Sequence, residues 1–246
     1  MILSRVIEHA RAQHWTAVFL DFVIVVLGVF IGIQVSNWNA AQGDKREYQQ
    51  ALKRYQQELA ANLEILDTVD SESKMRREVV ASAFDALLSC NDSLQNRDLV
   101  ERGIMQLAGT AGLKLRDSAL RELTESQTLL AQESELERKQ FADTRYKMTV
   151  FLGEAAYLED APLEERMENN PILIVGPAIE RTTIVAGVHY SPRIRTLKLS
   201  VPLDVACKDN FLVKSFYTWE RWQNVLPSVS GILRAELQTS LEDLKK

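Results

Sequence analysis

Between Ala17 and Val35 the chain reads AVFLDFVIVVLGVFIGIQV, nineteen residues of which fourteen are Val, Ile, Leu or Phe. No other stretch limits so tightly what the molecule can be. As a helix it rises about 28 Å, close to the ~30 Å hydrocarbon core of a bilayer. Trp15 and Trp38 bracket it, the ring type that rests at headgroup depth, and are the expected interface anchors. The apolar side chains favour insertion by roughly 4 to 8 kcal/mol, whereas Asp21 opposes it by at most about 2.5 to 3.5 kcal/mol. Insertion wins, and a transmembrane helix is expected over residues 15–38.

Two other readings fit the apolar run less well. A cleaved signal peptide would need an n-region of about sixteen residues and a small side chain three residues before the cut. Ser36-Asn37-Trp38-Asn39-Ala40-Ala41 offers Trp or Asn there instead. A buried core helix would need a second segment apolar enough to cover it, and the chain has none. Ahead of the span, Ile2, Leu3, Val6, Ile7 and Ala10 recur at three-and-four spacing among Arg5, Glu8, His9 and Arg11. That pattern fits an amphipathic interfacial helix over residues 1–14, with a frayed terminus as the alternative.

Composition narrows the rest. The mean hydropathy of −0.15 over 246 residues averages one very apolar segment with a polar remainder. The net charge of −5 argues against a general nucleic-acid binder, which needs a concentrated positive field. His9, His14 and His189 form no HExxH and pair with no cysteine, so no metal ligand set is visible. GxGxxG, GxxxxGK[ST] and GxSxG are absent as well. His189-Tyr190-Ser191-Pro192-Arg193 reads as a surface turn before it reads as an anion site. The sequence therefore gives no reason to propose an enzyme, a cofactor or a metal.

Within the span, Gly28 and Gly32 make a GxxxG pair, which lets two helix backbones approach closely. At 100° per residue, Asp21, Val25, Gly28, Gly32 and Asn39 fall within about 40° of one direction. Three readings stay open. The stripe is a homo-oligomer contact with protonated Asp21 hydrogen-bonding across it; or Asp21 is the titrating group of a proton- or ion-coupled subunit; or headgroups and thinned bilayer simply solvate it.

The run from Val26 to Asn39 resembles the N-terminal span of a bacterial single-pass membrane-protein family of unknown function. Gln34, Asn37, Trp38 and Asn39 match its Gln-x-x-Asn-Trp-Asn signature, and the likeness extends over about residues 15 to 66. It is fainter from Ala119 to Tyr146, and nothing is recognisable beyond Pro162. The resemblance implies a single-pass inner-membrane protein with a helical extramembrane part; it supplies no activity.

All six prolines lie at or after position 162, and neither glycine nor proline occurs from Asp44 to Arg102. This shift divides a helical region over 39–161 from a Pro-containing excursion with C-terminal helices over 162–246. Leu52, Tyr55, Leu59, Leu66, Val69, Val80, Ala83 and Leu87 follow a 3-4 repeat, with Asn62, Ser73 and Arg76 at seam positions. A long helix or helix pair from Asp44 to Ser89 is expected, kinked near 67–71, packing on the chain's own later helices.

Further helices are expected from a cap at Asp98 to Ala108, from Asp117 or Ser118 through Leu130, and from Glu133 to Leu158. Phe141, Tyr146, Val150 and Phe151 should face a core, and the charge run Glu133–Lys139 should be a solvated face. Short β-favouring runs at 172–175, 182–185 and 197–201 suggest one small hairpin or an irregular excursion. Helix should return at Asp209 and again after Pro227. The fold class is mainly α: one transmembrane helix, a long helix, and an extramembrane bundle with a small β excursion.

Charge and cysteines pull sidedness in opposite directions. Lys45, Arg46, Lys53 and Arg54 after the span outnumber Arg5 and Arg11 before it, which points to a cytoplasmic bundle. However, the eight residues after Val35 carry no Lys or Arg. Cys90 and Cys207, an even pair without CxxC spacing, would form a disulfide in an oxidising periplasm; two buried free thiols are the alternative. The cysteines tip the expectation to a periplasmic domain. The expected role is a non-catalytic scaffold, sensor or assembly partner, a homo-oligomer in the lipid bilayer with a protein partner of unknown identity. The alternative is the ion-coupled subunit using Asp21.

Overall fold

The computed structural model describes residues 15–163, 166–180, 183–185 and 188–245. The amphipathic segment expected over 1–14, with His9 and His14, lies outside the described residues. The architecture is mainly helical, with one long apolar N-terminal helix, a helical bundle and a small antiparallel β excursion.

Helix α1 runs uninterrupted from Trp15 to Leu88, about 110 Å at 1.5 Å per residue. Its length follows from the sequence, since no proline and only Gly28, Gly32 and Gly43 occur along it. The helix is not interrupted near 67–71, where the sequence suggested a kink. Asp67 and Asp70 point outward and accept hydrogen bonds from Arg234 at 2.6 and 2.8 Å, so these polar residues tie helices together instead of breaking one. The helix ends where Cys90 adopts φ +51°, the left-handed conformation that closes a helix and normally selects glycine.

Helix α2 spans Leu94–Leu107 and packs back along α1. Its N-cap is Ser93, whose hydroxyl accepts from the Asn96 amide at 3.1 Å, not Asp98 as the sequence suggested. Asp98 is one turn inside and pairs with Arg102 at 2.9 Å. The two helices touch through Gly103, where a Cβ would collide with the Ala83 Cβ. Helices α3 (Ser118–Glu125) and α4 (Gln127–Leu130) lead into α5 (Glu135–Asp160). Ser134 and Glu137 form a reciprocal capping box at the start of α5, which leaves Glu133 outside the helix.

Strands β1 (Leu173–Glu180) and β4 (Arg193–Leu199) pair antiparallel, and β2 (Thr183–Val185) with β3 (Val188–Tyr190) form a second antiparallel pair nested between them. The stretch read as a turn, His189 to Arg193, instead contributes to β3 and β4. Helices α6 (Leu203–Ala206), α7 (Asn210–Gln223) and α8 (Leu226–Asp243) complete the chain. Asp209 caps α7, its carboxylate accepting from the Leu212 amide at 2.7 Å and from Asn170 Nδ2 at 2.9 Å.

Two hydrophobic cores lie in series along α1. The first joins Tyr55, Leu59 and Leu66 to Leu120, Leu123 and Leu129, Phe141 and Met148 of α5, and Leu233 and Leu237 of α8. The second joins Val80, Ala83 and Leu87 to Ile104, Leu199, Leu203, Phe216 and Trp219. Tyr146 and Val150, expected in the core, are exposed, because Phe141, Thr144, Met148, Ala155 and Leu158 occupy the buried face of α5 and Tyr146 and Val150 lie opposite it.

Candidate functional site

The apolar half of α1 is the feature that the fold leaves unexplained as a packed element. Its most apolar stretch has a mean hydropathy of 1.7 with none of it buried, and by length and composition it is able to cross a membrane. Phe22, Ile24, Val25, Leu27, Val29, Phe30 and Ile31 are all more than half exposed, in every direction round the helix. Apolar side chains that point everywhere and pack on nothing describe a helix whose neighbour is not this chain. Trp38 is 65% exposed at the C-terminal edge of that stretch.

Trp15 and Asp21 lie on the same helix. Gly28 and Gly32 face open space, since a Cβ added at either would meet nothing within 4 Å. Gln34, Asn37 and Asn39 continue the helix and are exposed. The bundle begins at Tyr48, thirteen residues after Val35. On ideal helical geometry the face that α1 presents to the bundle, carrying Tyr55, Asn62, Leu66 and Ser73, points about 160° away from the Gly28/Gly32 stripe.

At the far end of α1, Cys90 and Cys207 are joined by a disulfide 117 residues apart in sequence. The bridge fastens the end of α1 to the turn after α6, beside the second core. It also accounts for a non-glycine residue at the left-handed position, where a Cβ costs roughly 1 kcal/mol.

Buried polar side chains lie on the bundle surface of α1, and the sequence reading passed over the most engaged of them. Glu58 is buried and accepts from Ser118 Oγ at 2.8 Å and from the backbone amides of Ala119 and Leu120 at 3.0 and 3.2 Å. It caps α3 from sixty residues away, whereas the local N-cap residue Asp117 makes no cap hydrogen bond and pairs with Arg121 at 2.6 Å. Asn62 holds the preceding loop, donating to the Arg116 carbonyl at 2.8 Å and accepting from the Arg116 amide at 2.9 Å. Tyr55, buried beside Phe141, has its phenol pushed up to about 12 by burial. The 3-4 repeat marks Tyr55 and Asn62 as inward-facing; Glu58 lies outside that repeat, and the sequence carries no sign of its capping role.

Among the described residues no group of three or more His, Cys, Asp or Glu is placed to hold a metal ion. A cavity of about 380 Å³ opens between α2 and the β ribbon. Four of its five charged lining residues pair with one another, Asp98 with Arg102 and Glu101 with Lys198; Glu180 is the fifth.

Residues 21–108 are similar to a family of unknown function (DUF6090), a stretch that starts in the apolar segment and takes in the rest of α1 and all of α2. No curated protein and no solved structure matches the chain.

Proposed function

We propose that this chain is a single-pass protein of the bacterial inner membrane whose helical bundle is a non-catalytic scaffold, sensor or assembly partner on the periplasmic side. One observation carries the reading: a single unbroken helix joins an apolar segment that packs on nothing to a bundle with two closed cores. Such a rod transmits position or rotation between a membrane and whatever the bundle touches. The Gly28/Gly32 face supports homo-oligomer formation in the lipid, because it is open and turned away from the bundle. The Cys90–Cys207 bridge supports an oxidising compartment for the bundle.

Thiol accessibility in intact cells tests this. A membrane-impermeant thiol reagent is applied before and after reduction, with Cys90→Ser and Cys207→Ser as controls. The expected result is labelling of the wild type only after reduction, and labelling of each single variant without it. Absence of labelling until the inner membrane is permeabilised, with both thiols reactive once denatured, would move the bundle to the cytoplasm.

A further inference from the structure

Two carboxylates are buried among the described residues, Glu58 and Glu133, and their surroundings differ. Three donors satisfy Glu58. Neither oxygen of Glu133 has a hydrogen-bond partner, although its side chain is only 1% exposed. A buried carboxylate without donors is costly to keep ionised, and the usual remedy is to hold its proton. Burial is the main influence raising the affinity of Glu133 for that proton; the Arg138 guanidinium opposes it and the Glu137 carboxylate adds to it.

The setting is a small device at the end of the bundle nearest the apolar segment. Glu133 sits between α4 and the capping box of α5. Facing it from α1 is Tyr48, buried, its hydroxyl also without a hydrogen bond and its ionisation suppressed by burial and then by Glu137 and Glu133. Asp44, one turn before Tyr48, is half-buried on the same side of α1. From α5 come Glu137, held by the Ser134 amide at 2.8 Å, and Arg138. Arg138 Nε stands 3.9 Å from Glu133 Oε2, while its Nη2 donates to the Leu130 carbonyl at 2.6 Å and the side chain is 54% exposed. From α8, Asp243 is tied to Gln140 at 3.0 Å, more than a turn further along α5.

We propose that Glu133 is a proton-operated latch between α1 and the α4–α5 connection. Protonated, the side chain stays inserted beside Tyr48. Ionised, its proton lost to water, the carboxylate leaves the pocket for solvent and the half-exposed Arg138, and residues 131–134 with the first turn of α5 release α1. The sign follows from linkage. A carboxyl that binds its proton more tightly in the closed state favours closure fully below the ordinary carboxylate range. That contribution is lost as pH rises through the raised folded-state value. Because Tyr48 is on the helix that carries the apolar segment, the latch couples local pH to the packing nearest the membrane.

The test is hydrogen exchange of the full-length chain in lipid nanodiscs between pH 4 and 8, corrected for intrinsic rates, with carbon-13 titration of the Glu133 carboxyl. In the wild type, protection of amides 131–137 is expected to fall, by up to about tenfold per pH unit, between the ordinary carboxylate range and the Glu133 midpoint, and to level off above it. Glu133→Gln, which mimics the protonated form, should abolish that slope, and Glu135→Gln on the exposed side should retain it. The carboxyl midpoint, read in the wild type and so independent of any variant's folding, should lie above 4.5. A flat wild-type profile, an unchanged slope in Glu133→Gln, or a midpoint at or below the ordinary value would overturn the proposal.

Discussion

The two halves of α1 are one rod with two kinds of surface. Near its start Phe19, Phe30 and Trp38 are 67%, 57% and 65% exposed; further on Leu59 and Leu66 are 1% and 0% exposed. The difference is one of pattern as much as of composition. Between Tyr48 and Leu87 apolar residues recur every three or four positions and the charges lie between them, so one stripe is buried and the rest is wet. From Ala17 to Val35 the apolar residues leave no polar side, so no single packing partner within the chain could satisfy them. A helix therefore records its surroundings in the width of its apolar face: a stripe asks for one neighbour, a full circle for surroundings that are apolar on every side.

The largest expected effect that would sharpen this comparison lies at the far end of the rod. Replacing both Cys90 and Cys207 by Ser should lower bundle stability by about 4 to 5 kcal/mol, the loop-entropy value for a closure of this length. It is read as a shift of the denaturation midpoint in micelles, and the wild type should show the same shift under reductant. Leu59→Ala should cost about 2 to 5 kcal/mol by opening the first core, whereas Leu27→Ala in the apolar half should leave the same midpoint in place. An equal loss from both would erase the distinction between the halves.

Glu58→Ala should cost about 2 to 3 kcal/mol, since it strands the Ala119 and Leu120 amides and the Ser118 hydroxyl. Faster hydrogen exchange should then begin at the start of α3. Gly103→Ala should cost about 1 to 3 kcal/mol, because a Cβ there drives into Ala83 and forces α1 and α2 apart. Smallest is Asp21→Asn. A packing role tolerates it, because Asn still hydrogen-bonds across a helix pair, so oligomer cross-linking should be unchanged. Loss of a proton-dependent activity in that variant would favour the ion-coupled alternative.

What could be read in advance was local. The width of the apolar face identified the segment at 17–35, the 3-4 repeat identified the buried stripe of α1, and the return of a helical pattern at Asp209 identified the start of α7. What could not be read depended on residues far apart. Glu133 looks like a member of a solvated charge run, and only the fold, by bringing Tyr48 over the α4–α5 connection, buries it. Glu58 looks like one more surface acid until α3 starts beside it. Tyr146 and Val150 have core-like side chains but lie on the opposite side of α5 from Phe141 and Met148, a phase that their hydrophobicity alone conceals. The strand at 188–190 was hidden by its shortness, because three residues are too few to show an alternating pattern.

The claim on which the rest depends is that the first half of α1 lies in lipid and the second half does not. It is tested most directly by a spin-label ladder on the full-length chain in liposomes, with single cysteines introduced at Val26, Phe30, Asn37 and Gln50 and the native bridge left oxidised. The account predicts high oxygen and low nickel-chelate accessibility at Val26 and Phe30, reversing between Asn37 and Gln50. Nickel accessibility at Phe30 equal to that at Gln50 would contradict it, and the exposed apolar surface would then need a protein partner in place of a membrane.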